Sequence, residues 1–193
     1  MFNESQRSAL YSDELLAQLP NHDPFEFLAE AFARVRQRDP VTAASLVDLV
    51  TYLPCDLLTK VDIASMANSL ECRAPLLDYR VVELAVGMPL RYKLHRGRGK
   101  WILSKAFPEL LPPEVTRRPK MGFGVPLAAW FRGELKDYAR AVLLDARSTS
   151  RGYFRPCAIS QLLDEHQSGV FDHGYRLWGL LVFELWHRTW LDG

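Results

Sequence analysis

The chain has 193 residues, of which 48% are hydrophobic and 24% are charged, and its formal net charge is +1. A domain of this length can bury about 70% of the surface that its unfolded chain exposes, so it can form a substantial core. The apolar content and the near-neutral charge exclude a disordered tail and give no global sign of a nucleic-acid binder.

Cys55, Cys72 and Cys157 are odd in number and form no Cys-x-x-Cys or Cys/His cluster. This pattern favours reduced thiols over a disulfide or zinc framework. Residues 2–6 lack the apolar stretch of a secretory signal. The apolar run 177–186 is shorter than the about 20 residues that a membrane span needs. We therefore expect a cytoplasmic protein without a membrane partner.

The spacing of apolar residues is that of helices, and strand-type alternation is almost absent. The sequence predicts a mainly α fold, with little or no β structure, as a single domain over residues 1–193. In chain order, helices are expected over residues 13–18, 25–38, 42–53, 57–68, 78–86, 100–107, 128–131, 135–144 and 175–190.

Particular residues are expected to set the ends of these helices. Thr42 is the predicted cap of the third helix, because a threonine hydroxyl can accept a backbone N–H there. Pro54 is expected to end that helix, and Asp56 to begin the next one. The last helix is apolar on nearly all sides, which predicts that it packs centrally or against another domain. Tyr52, Met66 and the tryptophans are expected in the core.

A loop with one lysine occupies residues 118–126, with the sequence Arg-Pro-Lys-Met-Gly-Phe-Gly-Val-Pro. Gly122 and Gly124 can relieve steric limits on φ and let the backbone approach a ligand, while Pro119 and Pro126 stiffen the flanks. Such a loop can hold a phosphate. Taken alone, it is more often an ordinary solvated turn.

Residues 91–120 carry a local excess of positive charge, with nine Lys or Arg residues against Glu109 and Glu114. A solvated basic face, a nucleic-acid site and a phosphate site all fit this excess. Nucleic acid is disfavoured because the segment lacks interleaved aromatic residues for base stacking, Trp101 excepted.

Three segments, in order, narrow these alternatives. They are TYLPCDLLTKVDIASMA…SLECRAPLLD at 51–78, GRGKWILSKAF at 97–107 and RRPKMGFGVPL at 117–127. Together they resemble the C-terminal half of the synthetase domain of glutamine-hydrolysing asparagine synthetases. The similarity is strong over residues 45–135 and looser on the flanks. It implies the helical C-terminal portion of a synthetase domain of the PP-loop ATP pyrophosphatase fold.

The resemblance also implies a larger enzyme. Members of that family have an N-terminal glutaminase domain that begins with cysteine, an SGGxDS loop that binds ATP, and an acidic SGxGxDE segment that helps to hold magnesium. None of these motifs occurs in the 193 residues. We therefore expect a C-terminal piece that is inactive alone and that has the rest of the synthetase, the PP-loop subdomain and the glutaminase domain, as its partner.

By resemblance, the parent enzyme uses ATP and Mg²⁺, and none is expected on this piece alone. ATP adenylates the side-chain carboxylate of aspartate, pyrophosphate leaves, and ammonia displaces AMP through a tetrahedral oxyanion. Aspartate, ATP and ammonia are the implied small-molecule substrates. A homodimer is also among the expected partners, whereas nucleic acid is not.

Residue by residue, the resemblance assigns Lys120 to the oxyanion and the pyrophosphate, and Lys100 to phosphate charge. Fixed ammonium groups there stabilise the transition state more than the ground state. Gly122 and Gly124 would shape the phosphate-binding loop around Lys120. No metal ligand is assigned in this piece.

Two further assignments keep alternatives. Asp56 matches an acidic position near the substrate, although a helix cap explains it as well, and Cys55 stands where relatives commonly have a second aspartate. Arg73 could bind a substrate carboxylate bidentately, or Glu71 and Asp78 could hold it in a structural salt bridge. The five histidines show no ligand spacing and are assigned no chemistry, with His166 and His173 placed in a loop-like stretch.

Two other functions stay open. The chain could be a non-catalytic helical scaffold or partner-binding module that retains the motifs. It could also come from a related amidotransferase that acts on another carboxylate.

Overall fold

A computed structural model describes residues 2–20, 23, 25–112, 114, 118, 122 and 124–193. The chain divides into two compact units. The terminal unit comprises Met1–Asn21 and Met121–Gly193, and the central unit comprises His22–Lys120. The prediction of a single domain is not tested by this division and stays a prediction.

The described residues are mostly helical, with only two short strands, which confirms the predicted mainly α fold. In chain order the elements are α1 Glu4–Leu10, α2 Asp13–Gln18, α3 Glu26–Val35, α4 Pro40–Val50, a π-helix Leu53–Leu58, α5 Thr59–Met66, a 3-10 turn Pro75–Leu77, α6 Tyr79–Gly87, α7 Leu90–Lys93, β1 Leu94–His95, β2 Arg98–Gly99, α8 Trp101–Ala106, α9 Leu127–Arg132, α10 Lys136–Leu144, α11 Ala146–Thr149, α12 Pro156–Ser168 and α13 Gly174–Trp190.

Side-chain caps begin several of these helices. The Ser12 hydroxyl accepts the backbone N–H of Leu15 at 3.0 Å at the start of α2. At α4 the expected cap is wrong, because the Asp39 carboxylate accepts the N–H of Thr42 at 3.0 Å and Thr42 itself is buried in the first turn. Aspartate followed by proline is a strong helix start, since Pro40 lacks an N–H that would need a partner.

The terminal unit has a continuous apolar core formed by α1 and by the helices from α9 to α13. Its buried members are Leu10, Leu127, Phe131, Ala139, Val142, Leu143, Ile159, Leu163, Leu177, Leu180 and Leu181. The chain segment before Pro156 closes this unit against α1, because the Arg155 N–H donates to the carbonyl of Leu10 at 2.8 Å. Helix α13 contributes three of the core leucines, so the prediction that it packs centrally is correct for one of its faces.

The central unit buries few side chains. Helix α3 packs against α4, and Ala31, Ala43 and Val47 lie in the interior. Tyr52 and Met66 are 49% and 55% exposed, so their expected place in the core is wrong. Apolar periodicity marks a face that can be buried, but it does not say which part of a protein covers that face.

One helical stretch of the described chain, Pro40–Met66, is long and apolar enough to cross a membrane by length and composition. Its mean hydropathy is 1.4, and 22% of its apolar window is buried. A helix that docks on another protein surface meets the same test. The expectation of no membrane partner therefore stays a prediction.

Candidate functional site

Asp56 lies in the first turn of the π-helix Leu53–Leu58, which stands between α4 and α5. Helix α4 ends at Val50, before Pro54, as predicted, and Pro54 lies in the first turn of the π-helix, where its missing N–H leaves no helical hydrogen bond unmade. The hydroxyl of Thr59, the first residue of α5, donates to the carbonyl of Pro54 at 2.8 Å. Asp56 makes no cap hydrogen bond, so the capping alternative is wrong.

The Asp56 carboxylate is available to a ligand. Asp56 is exposed, and its carboxylate has no hydrogen bond or ion pair with any residue that the structure describes. Single π-turns inside α-helices occur frequently at functional sites. Asp56 is therefore free to accept a hydrogen bond or a proton from a ligand.

Arg73 precedes the 3-10 turn Pro75–Leu77, on an extended segment. Its Nε and Nη2 atoms both contact Oε1 of Glu71, at 2.7 and 2.6 Å. Asp78 does not take part, because its carboxylate binds Arg80 through two contacts of 2.9 and 2.8 Å. Hydrogen bonds from the side chain and then from the backbone of Arg80 lower the pKa of Asp78. Only the Glu71 half of the expected salt bridge is therefore present.

The pairing of Arg73 with Glu71 does not exclude ligand binding. The Arg73 side chain is 84% exposed, and exposed ion pairs contribute only about 0 to 1 kcal/mol. A ligand carboxylate that bound the guanidinium bidentately would compete with this pair at little cost.

Lys100 lies at the junction of a small hairpin and α8. Strands β1 and β2 pair antiparallel, with Leu94 opposite Gly99 and His95 opposite Arg98. The two residues between them, Arg96 and Gly97, have φ values of 48° and 78°, which is the conformation of a tight hairpin turn. The sequence analysis predicts a loop here and not a hairpin, although Gly97 in the second position of the turn is typical of a hairpin.

The backbone of Lys100 is itself left-handed, with φ 54° and ψ 31°, and α8 begins at the next residue. The Lys100 side chain is exposed and has no partner among the described residues. From residue 84 to residue 108 the sequence has six Lys or Arg residues and no Asp or Glu. Lys100 therefore lies in a positive local field with no acidic neighbour in sequence to neutralise it.

Gly122 and Gly124 are described positions in a loop of which residues 119–121 and 123 lie outside the described part of the chain. A Cβ at either position would meet no atom within 4 Å, so space is open beside the backbone there. Lys120 lies outside the described residues, and its assignment rests on sequence alone.

The structure places Asp56, Arg73 and Lys100 on the central unit, each exposed. Gly122 and Gly124 belong to the terminal unit. Across the described parts of the chain, no three His, Cys, Asp or Glu side chains are grouped to hold a metal ion. We therefore assign no magnesium ligand among the described residues.

Comparison with known proteins defines the class. The family model for asparagine synthase matches residues 2–188. The chain therefore belongs to the asparagine synthase family.

Named relatives agree with this family. A Mycobacterium tuberculosis protein named "Putative asparagine synthetase (glutamine-hydrolyzing)" is 38% identical over 90% of this chain and 26% of its own length. Asparagine synthetase (glutamine-hydrolyzing) 1 of Bacillus subtilis is 34% identical over 73% of this chain and 22% of its own length. The chain thus spans about a quarter of these relatives. No solved structure matches it.

Proposed function

We propose that this chain is the C-terminal part of the synthetase domain of an ATP-dependent, glutamine-hydrolysing asparagine synthetase. The observation that carries the proposal is the family match over residues 2–188, together with relatives that are named for this activity. The exposed, unpartnered Asp56 and Lys100 and the weakly paired Arg73 support it, because each is available to a ligand.

The proposed chemistry needs fixed positive charge. When the carboxylate of aspartate attacks ATP, negative charge grows on the departing pyrophosphate, and it grows on the carbonyl oxygen when ammonia attacks the adenylate. Lys100 would hold phosphate charge, and Lys120 would stabilise the pyrophosphate and the oxyanion. Arg73 would bind a substrate carboxylate, and Asp56 would orient the substrate or accept a proton.

The test uses the complete protein that contains this chain. Purified protein with aspartate, glutamine, ATP and magnesium should form asparagine, AMP and pyrophosphate in equal amounts. Replacing aspartate with other carboxylates separates this function from amidation of another substrate. A complete protein that forms no amide and consumes no ATP would support the non-catalytic module instead.

We further propose that the 193 residues alone do not exchange pyrophosphate into ATP. They contain no SGGxDS segment, and two lysines cannot replace the cradle that such a loop provides for the triphosphate. The measurement is incorporation of radiolabelled pyrophosphate into ATP with aspartate and magnesium present. Incorporation above a blank without protein would contradict the proposal.

A further inference from the structure

Trp101 joins the hairpin to the helix that follows it. The imidazole of His95, on β1, stacks on the Trp101 ring with 4.5 Å between centroids and 23° between planes. The Lys105 ammonium, one turn along α8, lies 4.9 Å from the centroid of the same ring. Stacking and cation–π contacts of this geometry are attractive, so Trp101 links β1 to α8.

Lys100 is the residue between β2 and α8, the two elements on either side of the turn that Trp101 stabilises. It separates Gly99, which pairs with Leu94 across the hairpin, from Trp101, the first residue of α8. Its left-handed backbone is disfavoured for any residue with a Cβ, and its side chain forms no cap hydrogen bond that would hold it. The elements on either side must therefore impose this conformation.

We propose that the stack of His95 on Trp101 is a positioning device that fixes the left-handed turn at Lys100 and so directs its ammonium group toward phosphate. This inference rests on the phosphate-binding role proposed for Lys100. Trp101 and His95 are positioning residues here, since they act through Lys100. Without the stack, β2 and α8 can change their relative direction, and the Lys100 side chain changes direction with them.

The test compares variants of the complete protein under steady-state conditions with ATP varied. Trp101→Ala should lower kcat/KM for ATP about tenfold, because small displacements of a charged group cost rate steeply. Trp101→Phe keeps a ring that can stack on His95 and should stay within about threefold of the parent. His95→Ala removes the same stack without touching α8 and should match Trp101→Ala. Tyr138→Ala removes an exposed aromatic residue from α10 and serves as the control.

A double-mutant cycle separates positioning from general stability. If Trp101 acts through Lys100, then Trp101→Ala should change kcat/KM less than about twofold in a Lys100→Ala background. A loss by the same factor in both backgrounds would overturn the inference, as would parent-like kinetics for His95→Ala. Should Lys100→Ala alone leave kcat/KM unchanged, the phosphate role of Lys100 would fail first, and the inference with it.

Discussion

Lys100 and Lys120 carry the same proposed chemistry from different kinds of evidence. Lys100 has a described backbone in which a hairpin and a helix hold a left-handed turn. Lys120 is assigned from the motif that surrounds it. The structure adds only that space is open beside the backbone at Gly122 and Gly124. Direct substitution is therefore the decisive evidence for Lys120.

In the complete protein, Lys120→Ala should reduce asparagine synthesis by a factor of about 100 or more. The loss corresponds to about 3 kcal/mol of transition-state stabilisation, the amount that one oxyanion donor supplies. Glutamine hydrolysis should survive, and Lys120→Arg should rescue only partly, because a planar guanidinium does not place charge as a compact ammonium does. An alanine variant with an unchanged melting temperature and near-parent synthesis would remove Lys120 from the catalytic group.

His166 shows how burial sets a protonation state. Its Nδ1 accepts the backbone N–H of His173 at 3.0 Å, and its Nε2 lies 3.1 Å from the carbonyl of Ala128. A neutral ring protonated on Nε2 satisfies both contacts. Burial lowers the pKa of His166, although the hydrogen bond to Ala128 acts in the opposite direction.

This lowered pKa predicts a pH dependence of stability. As the pH falls below about 6.5, the unfolded chain binds a proton at this histidine and the folded chain does not, so the free energy of unfolding decreases. The decrease should continue down to the folded pKa. Urea unfolding of the chain between about pH 7 and pH 5 measures the slope, and His166→Gln should flatten it. An equal slope in the variant would show that another group is responsible.

At the scale of elements, the sequence predicted what local chemistry controls. The start of α8 and the central place of α13 follow from side chains and spacing within one segment. The cap of α4 is Asp39 and not the predicted Thr42, although Pro40, directly after Asp39, favours a helix start there. His166 lies in α12 and not in a loop, and the sequence signals this helix through Pro156 in its first turn, Gly169 after its last turn, and Ile159 and Leu163 at helical spacing.

The candidate site, too, could be predicted in part from the sequence. Which residues belong to it could be proposed from three ordered motifs. Local propensity does not predict that the chain forms a π-helix at Pro54. The place of Asp56 in that π-helix, with an unpaired carboxylate, therefore could not be predicted from the sequence. The hairpin and the stacking of His95 on Trp101 could not be predicted, because neither residue alone indicates in the sequence that the two rings meet.

Helix α13 is fixed in the terminal unit by a buried carboxylate. Glu184 is 3% exposed and accepts hydrogen bonds from Arg151 and Arg188, each with a shortest contact of 2.7 Å. Burial opposes ionisation, but the two arginines outweigh it and lower the pKa of Glu184. Arg188 also binds Asp145 at 2.7 Å, so the network connects α13 to the segment after α10.

Glu184→Gln should therefore destabilise the chain by about 2 kcal/mol, because it removes the carboxylate that Arg151 and Arg188 share, while Arg151 keeps its contact with Asp192 and Arg188 keeps Asp145. Urea unfolding and hydrogen exchange of the α13 amides would both record the loss. Glu134→Gln, at an exposed carboxylate in the same unit, is the matched control and should change stability by less than about 0.5 kcal/mol. Equal effects of the two substitutions would show that the network contributes no stability.

At the scale of the whole molecule, α13 has a second apolar face that the described residues of its own unit leave largely exposed. Trp178, Val182, Trp186 and Trp190 follow one another at four-residue spacing, which places them on one side of the helix. Trp178, Trp186 and Trp190 are 42%, 49% and 71% exposed, and Trp130 on α9 is 37% exposed, so the expected burial of the tryptophans is wrong for these four. Large exposed apolar patches favour association.

We therefore expect the 193-residue chain, expressed alone, to associate with itself and to bind a hydrophobic dye. Sedimentation velocity over a range of concentrations measures the association, which should weaken when Trp186 and Trp190 are both replaced by glutamate, because charge on this face opposes its burial. Tyr138→Glu adds a charge on α10 instead and should leave the association unchanged. A monomer at high concentration without dye binding would show that the uncovered face of α13 needs no partner.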